Sequence, residues 1–226
     1  MKTPVITTIL TIASLFAYSQ DFSPPHLLTL KFTPTSMLNL HVPTIMSGME
    51  ISLGKRISTE FEYGFQYLFP KEGARQNWHY HKLKGGPRLS FPTNDKMTAF
   101  VKAEAFAVYQ TYQKTNSIVE IENGDLYSYD TSAIDRKTRG FCLGAGIIVS
   151  KKQFSLELYF GGGWKWVSIY HELKDAKALY DFRRYSTWLN SPMDEKQGYW
   201  SLPHVDLGLK ICLPLFEVRQ TKADSN

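Results

Sequence analysis

From residue 27 onward this chain alternates apolar and polar side chains with a period of two, segment after segment. Successive side chains of a β-strand point to opposite faces, whereas a helix would mix the two sets, so this period demands strands. Residues 154–168 are the cleanest case. Phe154, Leu156, Leu158, Phe160, Trp164 and Trp166 fall on one face, with Gly162 among them; Ser155, Glu157, Tyr159, Gly161, Gly163 and Lys165 fall on the other. In 58–69, Phe61, Tyr63, Phe65, Tyr67 and Phe69 oppose Glu60, Glu62, Gly64 and Gln66. Segments 139–150 and 202–213 separate in the same way, and 27–33, 45–53, 80–91 and 97–112 do so less regularly. Pro87 lies inside one of these, where its missing N–H demands a bulge or a local break. Phe100, Phe106 and Val108 share a face with Lys102 and Glu104, which alternation does not explain.

The eight segments are joined by connections that alternate in length. Short turns fall at 54–57, 92–95 and 151–153, and longer links at 36–44, 70–79, 114–138 and 171–198. Short turns on one side and long loops on the other, with an even number of strands, describe a membrane barrel with periplasmic turns and extracellular loops. The expected fold is therefore all-β: an eight-stranded antiparallel up-and-down transmembrane β-barrel over residues 20–216. In the third link, Asn123-Gly124 between two alternating runs predicts a hairpin that carries two strands beyond the membrane. In the last link, Leu173, Ala176, Leu179, Tyr180 and Phe182 have helix-like spacing and predict a short helix.

Alternation does not itself say which face is inside. A soluble lipocalin-like barrel buries its apolar face, and a membrane barrel buries its polar one. The polar-face charges nearly balance: Lys31, Lys82, Lys84, Arg88, Lys102, Lys165 and Lys210 against Glu50, Glu60, Glu62, Glu104, Glu157 and Asp206. A closed interior requires such pairing, because an unpaired buried charge is strongly destabilising. These residues are expected to form a lumen charge network. Aromatics gather near the long-link ends, at Tyr67, Phe69, Trp78, Tyr80, Tyr109, Trp164, Trp166, Tyr199 and Trp200, and suggest an outer interfacial girdle.

The N-terminus agrees with export. Lys2 precedes an apolar stretch at 5–16 that is too short to span a bilayer, and Ala17-Tyr18-Ser19 supplies a cleavage site, so 1–19 reads as a signal peptide. Residues 217–226 read as a polar periplasmic tail. The formal charge of +5 contains no basic block of the kind nucleic acid requires. Cys142 and Cys212 fall on the sixth and eighth strands, about 9–10 Å apart by strand spacing, beyond the reach of a disulfide, and are expected to be free and lumen-facing.

The whole mature chain resembles the small outer-membrane barrels of the OmpX and OmpA-membrane-domain type. The most specific element is the last strand, where Asp206-Leu207-Gly208-Leu209-Lys210-Ile211-Cys212-Leu213 is similar to the pattern such barrels present to their assembly machinery. Members often end at a terminal aromatic; here Phe216 is followed by the polar tail. The resemblance implies an outer-membrane location, contact with outer-membrane lipid and lipopolysaccharide, and passage through the barrel-assembly machinery.

No motif assigns chemistry. His79 and His81 project to one side, but no Cys, Asp or Glu cluster at ligand spacing accompanies them, so no metal or other cofactor is expected. His81, His171, His204, Ser168 and Ser201 could serve a lipid-modifying enzyme, yet no spacing ties them together. Gly161-Gly162-Gly163 lacks the Lys-Ser/Thr of a phosphate loop. The expectation is a non-enzymatic barrel with a structural or surface-interaction role, its 114–138 and 171–198 links being the surface offered to an extracellular partner. A lipid-modifying enzyme, a narrow channel and a soluble periplasmic binding barrel are the alternatives.

Overall fold

The computed structural model describes residues 26–38, 44–54, 56–66, 75–94, 96–121, 124–151, 154–179 and 196–217. The expected signal peptide, Tyr67, Phe69, Tyr180, Phe182 and the tail from residue 218 lie outside them. Among the described residues, nine strands occur in chain order: β1 (His26–Phe32), β2 (Thr44–Ser52), β3 (Ile57–Gln66), β4 (Arg75–Asn94), β5 (Met97–Glu120), β6 (Leu126–Ser150), β7 (Ser155–Lys174), the two-residue β8 (Lys177–Ala178) and β9 (Gly198–Glu217). A 3-10 turn, Pro34–Leu38, follows β1.

Each long strand pairs antiparallel with its neighbour, and β1 closes on β9, so the eight long strands form a ring. Closure leaves no open sheet edge where the ring is complete. Its register fixes its shape. Following paired residues from Lys31 leads through Gly48, Glu62, Lys84, Phe106, Gly140 and Lys165 to Leu202, whereas β1 itself meets β9 at Cys212. An offset of about ten residues over eight strands tilts them by about 40° to the barrel axis and leaves an interior that side chains fill.

The wall is uneven in height. β1, β2 and β3 have 7, 9 and 10 residues, while β4, β5, β6, β7 and β9 have 20 to 25. The β5–β6 ladder is unbroken in register from Met97↔Val149 to Glu120↔Leu126, as the Asn-Gly signal predicts. Gly124 supplies the positive φ of 88° that its turn requires. Where a helix is expected after residue 171, β7 instead continues to Lys174, and β8 adds to β6. Leu173 pairs with Ser132 as a strand residue, and its apolar spacing serves a sheet. At Pro87 the β4–β5 ladder is interrupted over two residues with no change of register: Gly85↔Ala105 resumes as Arg88↔Lys102. The missing N–H causes a break, not a bulge. β9 runs through Glu217, which pairs with residues at the start of β1.

Candidate functional site

The inner faces of the strands converge on a charged plug. Lys31 on β1 reaches Glu60 at 2.5 Å and Glu157 at 2.9 Å, and also contacts Glu50. Arg88 on β4 spans the same three carboxylates, with Nη1 to Glu50 at 3.0 Å and Nη2 to Glu60 at 2.6 Å and Glu157 at 2.7 Å. Lys210 on β9 joins Glu60 and lies 3.0 Å from Glu62. One step higher, Lys84 meets Glu62 at 3.0 Å, Glu104 at 3.5 Å and Asp206 at 3.6 Å, and Lys102 meets Glu104 at 3.0 Å. Thr33 and Ser58 donate hydroxyl hydrogen bonds to Glu62 and Glu50. Glu157 and Lys210 are both 0 % exposed. Lys82 and Lys165 face inward above this network and are half-buried.

Seven strands supply these charges and β6 supplies none. Its inner face carries Gly140, Cys142, Gly144 and Gly146, and the space they leave is filled from β5. A Cβ at Gly146 would stand 2.5 Å from the Phe100 ring, and one at Gly140 would stand 2.5 Å from Phe106. Phe100 in turn lies 4.1 Å beneath the Arg88 guanidinium, and Phe106 lies 4.5 Å from the His204 ring. This accounts for the aromatics on the charged face of β5: they are the packing partners of β6 glycines, and a cation above an aromatic face is itself favourable. Tyr159 fills the space over Gly208 of β9 in a similar way, with Lys102 3.9 Å from its ring centroid. Both cysteines are buried and free.

Two carboxylate triples, Glu50–Glu60–Glu157 and Glu60–Glu62–Glu104, hold oxygens within 4.8 Å of one another. That spacing would suit a divalent cation. Here Lys31, Arg88, Lys84 and Lys210 hold the positions between them.

Above the charges the interior changes character. Trp78, Tyr112, Ile134, Val167 and Ile169 form a buried apolar cluster, with Tyr80, Trp200 and Leu202 against it. Trp78, Tyr80 and Trp200, expected in an outer girdle, therefore point inward. Parity is the reason: Trp78 and Tyr80 are in phase with Lys82 and Lys84, and Trp200 with Asp206 and Lys210. Tyr109, Trp164, Trp166 and Tyr199 do face outward, at 36–66 % exposure. Tyr112, Ile134, Val167 and Ile169 form a core that the alternating pattern does not single out, because each lies beyond or at the edge of an expected strand.

The histidines and serines nominated for chemistry are dispersed. Ser168 and Ser201 face outward, while His171 is buried and His204 packs on Phe106. His171 Nδ1 lies 3.3 Å from the hydroxyl of Ser132, inside the packed upper core. His81 and His79 share the outer face, and His81 Nδ1 lies 2.5 Å from the Tyr63 hydroxyl.

The outside of the lower barrel is apolar. Leu207 is 74 % exposed and Phe160 62 %, and Phe61, Leu83, Leu143 and Leu158 are exposed beside them. On β7 this face runs from Leu156 to Trp166, which at about 3.3 Å per residue and about 40° of tilt is a band about 25 Å tall. Beyond it the same face carries Ser168 and Glu172, and that of β6 carries Arg139, Lys137 and Asp135.

No protein-family model matches this chain, and no curated protein matches it. Among solved structures it is similar to one described as the crystal structure of Acinetobacter baumannii CarO, with 9 % sequence identity, a TM-score of 0.41, and coverage of 84 % of this chain and 98 % of that chain. A likeness at that level establishes neither family nor function, so the functional reading rests on the chain's own residues.

Proposed function

We propose that this chain is an outer-membrane β-barrel with a closed, charge-filled lumen, and that its role is structural or surface-interactive. The supporting observation is an inversion of polarity along continuous strands. In the lower barrel, charge is inside and apolar surface outside; in the upper wall, the interior holds an apolar cluster with Gln110, Ser132, Thr138 and His171 buried around it, and the exterior of β6 and β7 turns polar at Arg139, Lys137, Ser168 and Glu172. Such a swap suits a chain whose surroundings change from hydrocarbon to water at a fixed height. The lower exterior is about 25 Å tall, which matches the apolar band of outer-membrane barrels. Tyr109, Trp166 and Tyr199 sit at or above its upper margin and Trp164 just beneath it, where amphipathic rings favour an interface.

On this reading the N-terminal segment directs export, the assembly machinery inserts the barrel, and lipid, including lipopolysaccharide, covers the lower wall. The tall β5–β6 hairpin and the region after β7 face an extracellular partner. The buried ion pairs argue against conduction, and an apolar exterior argues against a soluble binding barrel. Separation of inner and outer membranes, followed by electrophoresis with and without boiling, tests the proposal. A band in the outer-membrane fraction whose migration shifts on boiling is expected. Recovery as a soluble protein without a shift would reject it, and stepwise conductance in a planar bilayer would reject the closed lumen.

A further inference from the structure

On the outer face of β5, Tyr109 is followed downward by Ala107, Ala105 and Ala103. Their cross-strand partners on one side are Leu83 and Gly85 of β4, and on the other Arg139, Phe141 and Leu143 of β6. Leu83, Phe141 and Leu143 are exposed and stand above the alanines as ridges. Lower down the depression widens into a groove lined by Pro87, Leu89, Val101, Ala103, Leu143 and Phe160. The channel is thus apolar and open along its length.

Its upper end is cationic. Arg139 pairs across the ladder with Ala107 and Lys137 with Tyr109, and both side chains are exposed. Among the described residues neither is in an ion pair. On the same face of β6, Asp135 accepts a hydrogen bond from the Tyr109 hydroxyl at 3.5 Å. The Lys137 ammonium lies 5.9 Å from the Tyr109 ring centroid, and Trp166 lies tilted against Phe141 at 6.0 Å between ring centroids, so the cations are set in an aromatic rim. From Arg139 down to the level of Leu143 is about 13 Å of strand, the reach of much of an acyl chain.

We infer that this face of β4, β5 and β6 seats one membrane lipid bearing an anionic phosphate headgroup, its phosphate on Lys137 and Arg139 and a chain along Ala107, Ala105 and Ala103. The inference rests on the membrane reading above. Two exposed cations at the margin of an apolar band meet a charge partner there, since hydrocarbon offers none and a phosphate layer does. The outer faces of β7 and β9 present larger side chains at comparable heights, Phe160, Trp164 and Trp166 on the one and Val205 and Leu207 on the other, and neither carries a run of three alanines.

The test uses the refolded barrel in phosphatidylcholine vesicles containing chain-spin-labelled phosphatidic acid or chain-spin-labelled phosphatidylcholine. The native barrel should immobilise phosphatidic acid several-fold in preference to phosphatidylcholine. K137Q/R139Q, at exposed positions, should bring the two close to equality. Ala105→Phe should reduce the immobilised phosphatidic acid while both cations remain; should that variant fail to fold, Ala107→Leu narrows the same seat. Equal association with the native barrel, or a preference that survives K137Q/R139Q, overturns the site. A preference unaffected by both alanine substitutions overturns the chain seat. Failure of the native protein to enter vesicles would reject the membrane reading, whereas an inserted barrel without lipid preference rejects this site alone.

Discussion

β7 passes through two environments. In its lower half Glu157 points inward among Lys31, Arg88 and Lys210, and Leu158 and Phe160 point outward. In its upper half Val167 and Ile169 point inward at 0 % and 2 % exposure, while Ser168 and Glu172 point outward. The backbone does not change: the ladder to β6 keeps one register from Ser150↔Ser155 to Thr131↔Lys174. What changes is the side chains: Val167 and Ile169 take the place of charge on the inner face, with His171 buried above them, and Ser168 and Glu172 flank Tyr170 on the outer one. The lower half is held by mutual ion pairing in a sealed interior, and the upper half by the burial of apolar surface that holds any protein in water. The comparison teaches that one β-sheet, in a single register, carries two kinds of interior when the side chains change residue by residue along it.

The strongest way to break this contrast is to remove one charge from the lower plug. Glu157 is shared by Lys31, Arg88 and Lys210, so Glu157→Leu leaves three buried cations with one carboxylate fewer. Loss of one partner from a buried network costs about 3–5 kcal/mol. Urea titration of the vesicle-inserted barrel, followed by the boiling shift, should show a destabilisation of that size. An unchanged midpoint would mean that water reaches the lumen and screens the cations.

The second test places the same charge on the outer face at two heights. Phe160→Arg falls in the middle of the apolar band, and Ser168→Arg falls above it on the same face of the same strand. Arginine on the lipid face costs about 2–4 kcal/mol at the midplane and about 0–1 kcal/mol near an interface. The ratio between the two variants measures where hydrocarbon ends. Equal costs would place both residues in one medium and remove the boundary.

Much of this was legible in the sequence because the lower barrel obeys one rule throughout. Alternation located the eight strands of the ring and the short turns; of the charges that balance on the polar faces, Lys82 and Lys165 lie above the plug and the others meet in it. The upper wall escaped that rule. A reading that takes polar positions as inward and apolar ones as outward fails once the faces exchange, so it ends β7 near Ser168 although the strand continues to Lys174; the upper parts of β5 and β6 are reached only through the Asn123-Gly124 turn signal. The same exchange sends Trp78 and Trp200 inward, where composition near a loop suggested a girdle. Parity carried forward from Lys82 and Asp206 would have placed them correctly. The role of the β6 glycines was not legible, since it depends on Phe100 and Phe106 reaching across from β5, a pairing that only the register reveals.

The smallest expected effect sharpens the upper half of the comparison. If Val167, Ile169, Ile134, Trp78 and Tyr112 form a close-packed core, removing one methylene should be felt, because interiors at that density relax only partly around a void. Ile169→Val should therefore cost about 0.5–1.5 kcal/mol. Hydrogen exchange at amides of β6 and β7 above Arg139 and Trp166 is the suitable measurement, since local opening of the upper wall need not unfold the lower barrel. Protection should fall in the upper segments and hold in the lower ones. A uniform loss along β7 would mean that the two halves unfold as one unit, and that the packing of the upper core is transmitted to the charged plug. No change anywhere would mean that the upper interior is loosely filled, and the likeness of that half to a water-soluble core would be one of composition without packing.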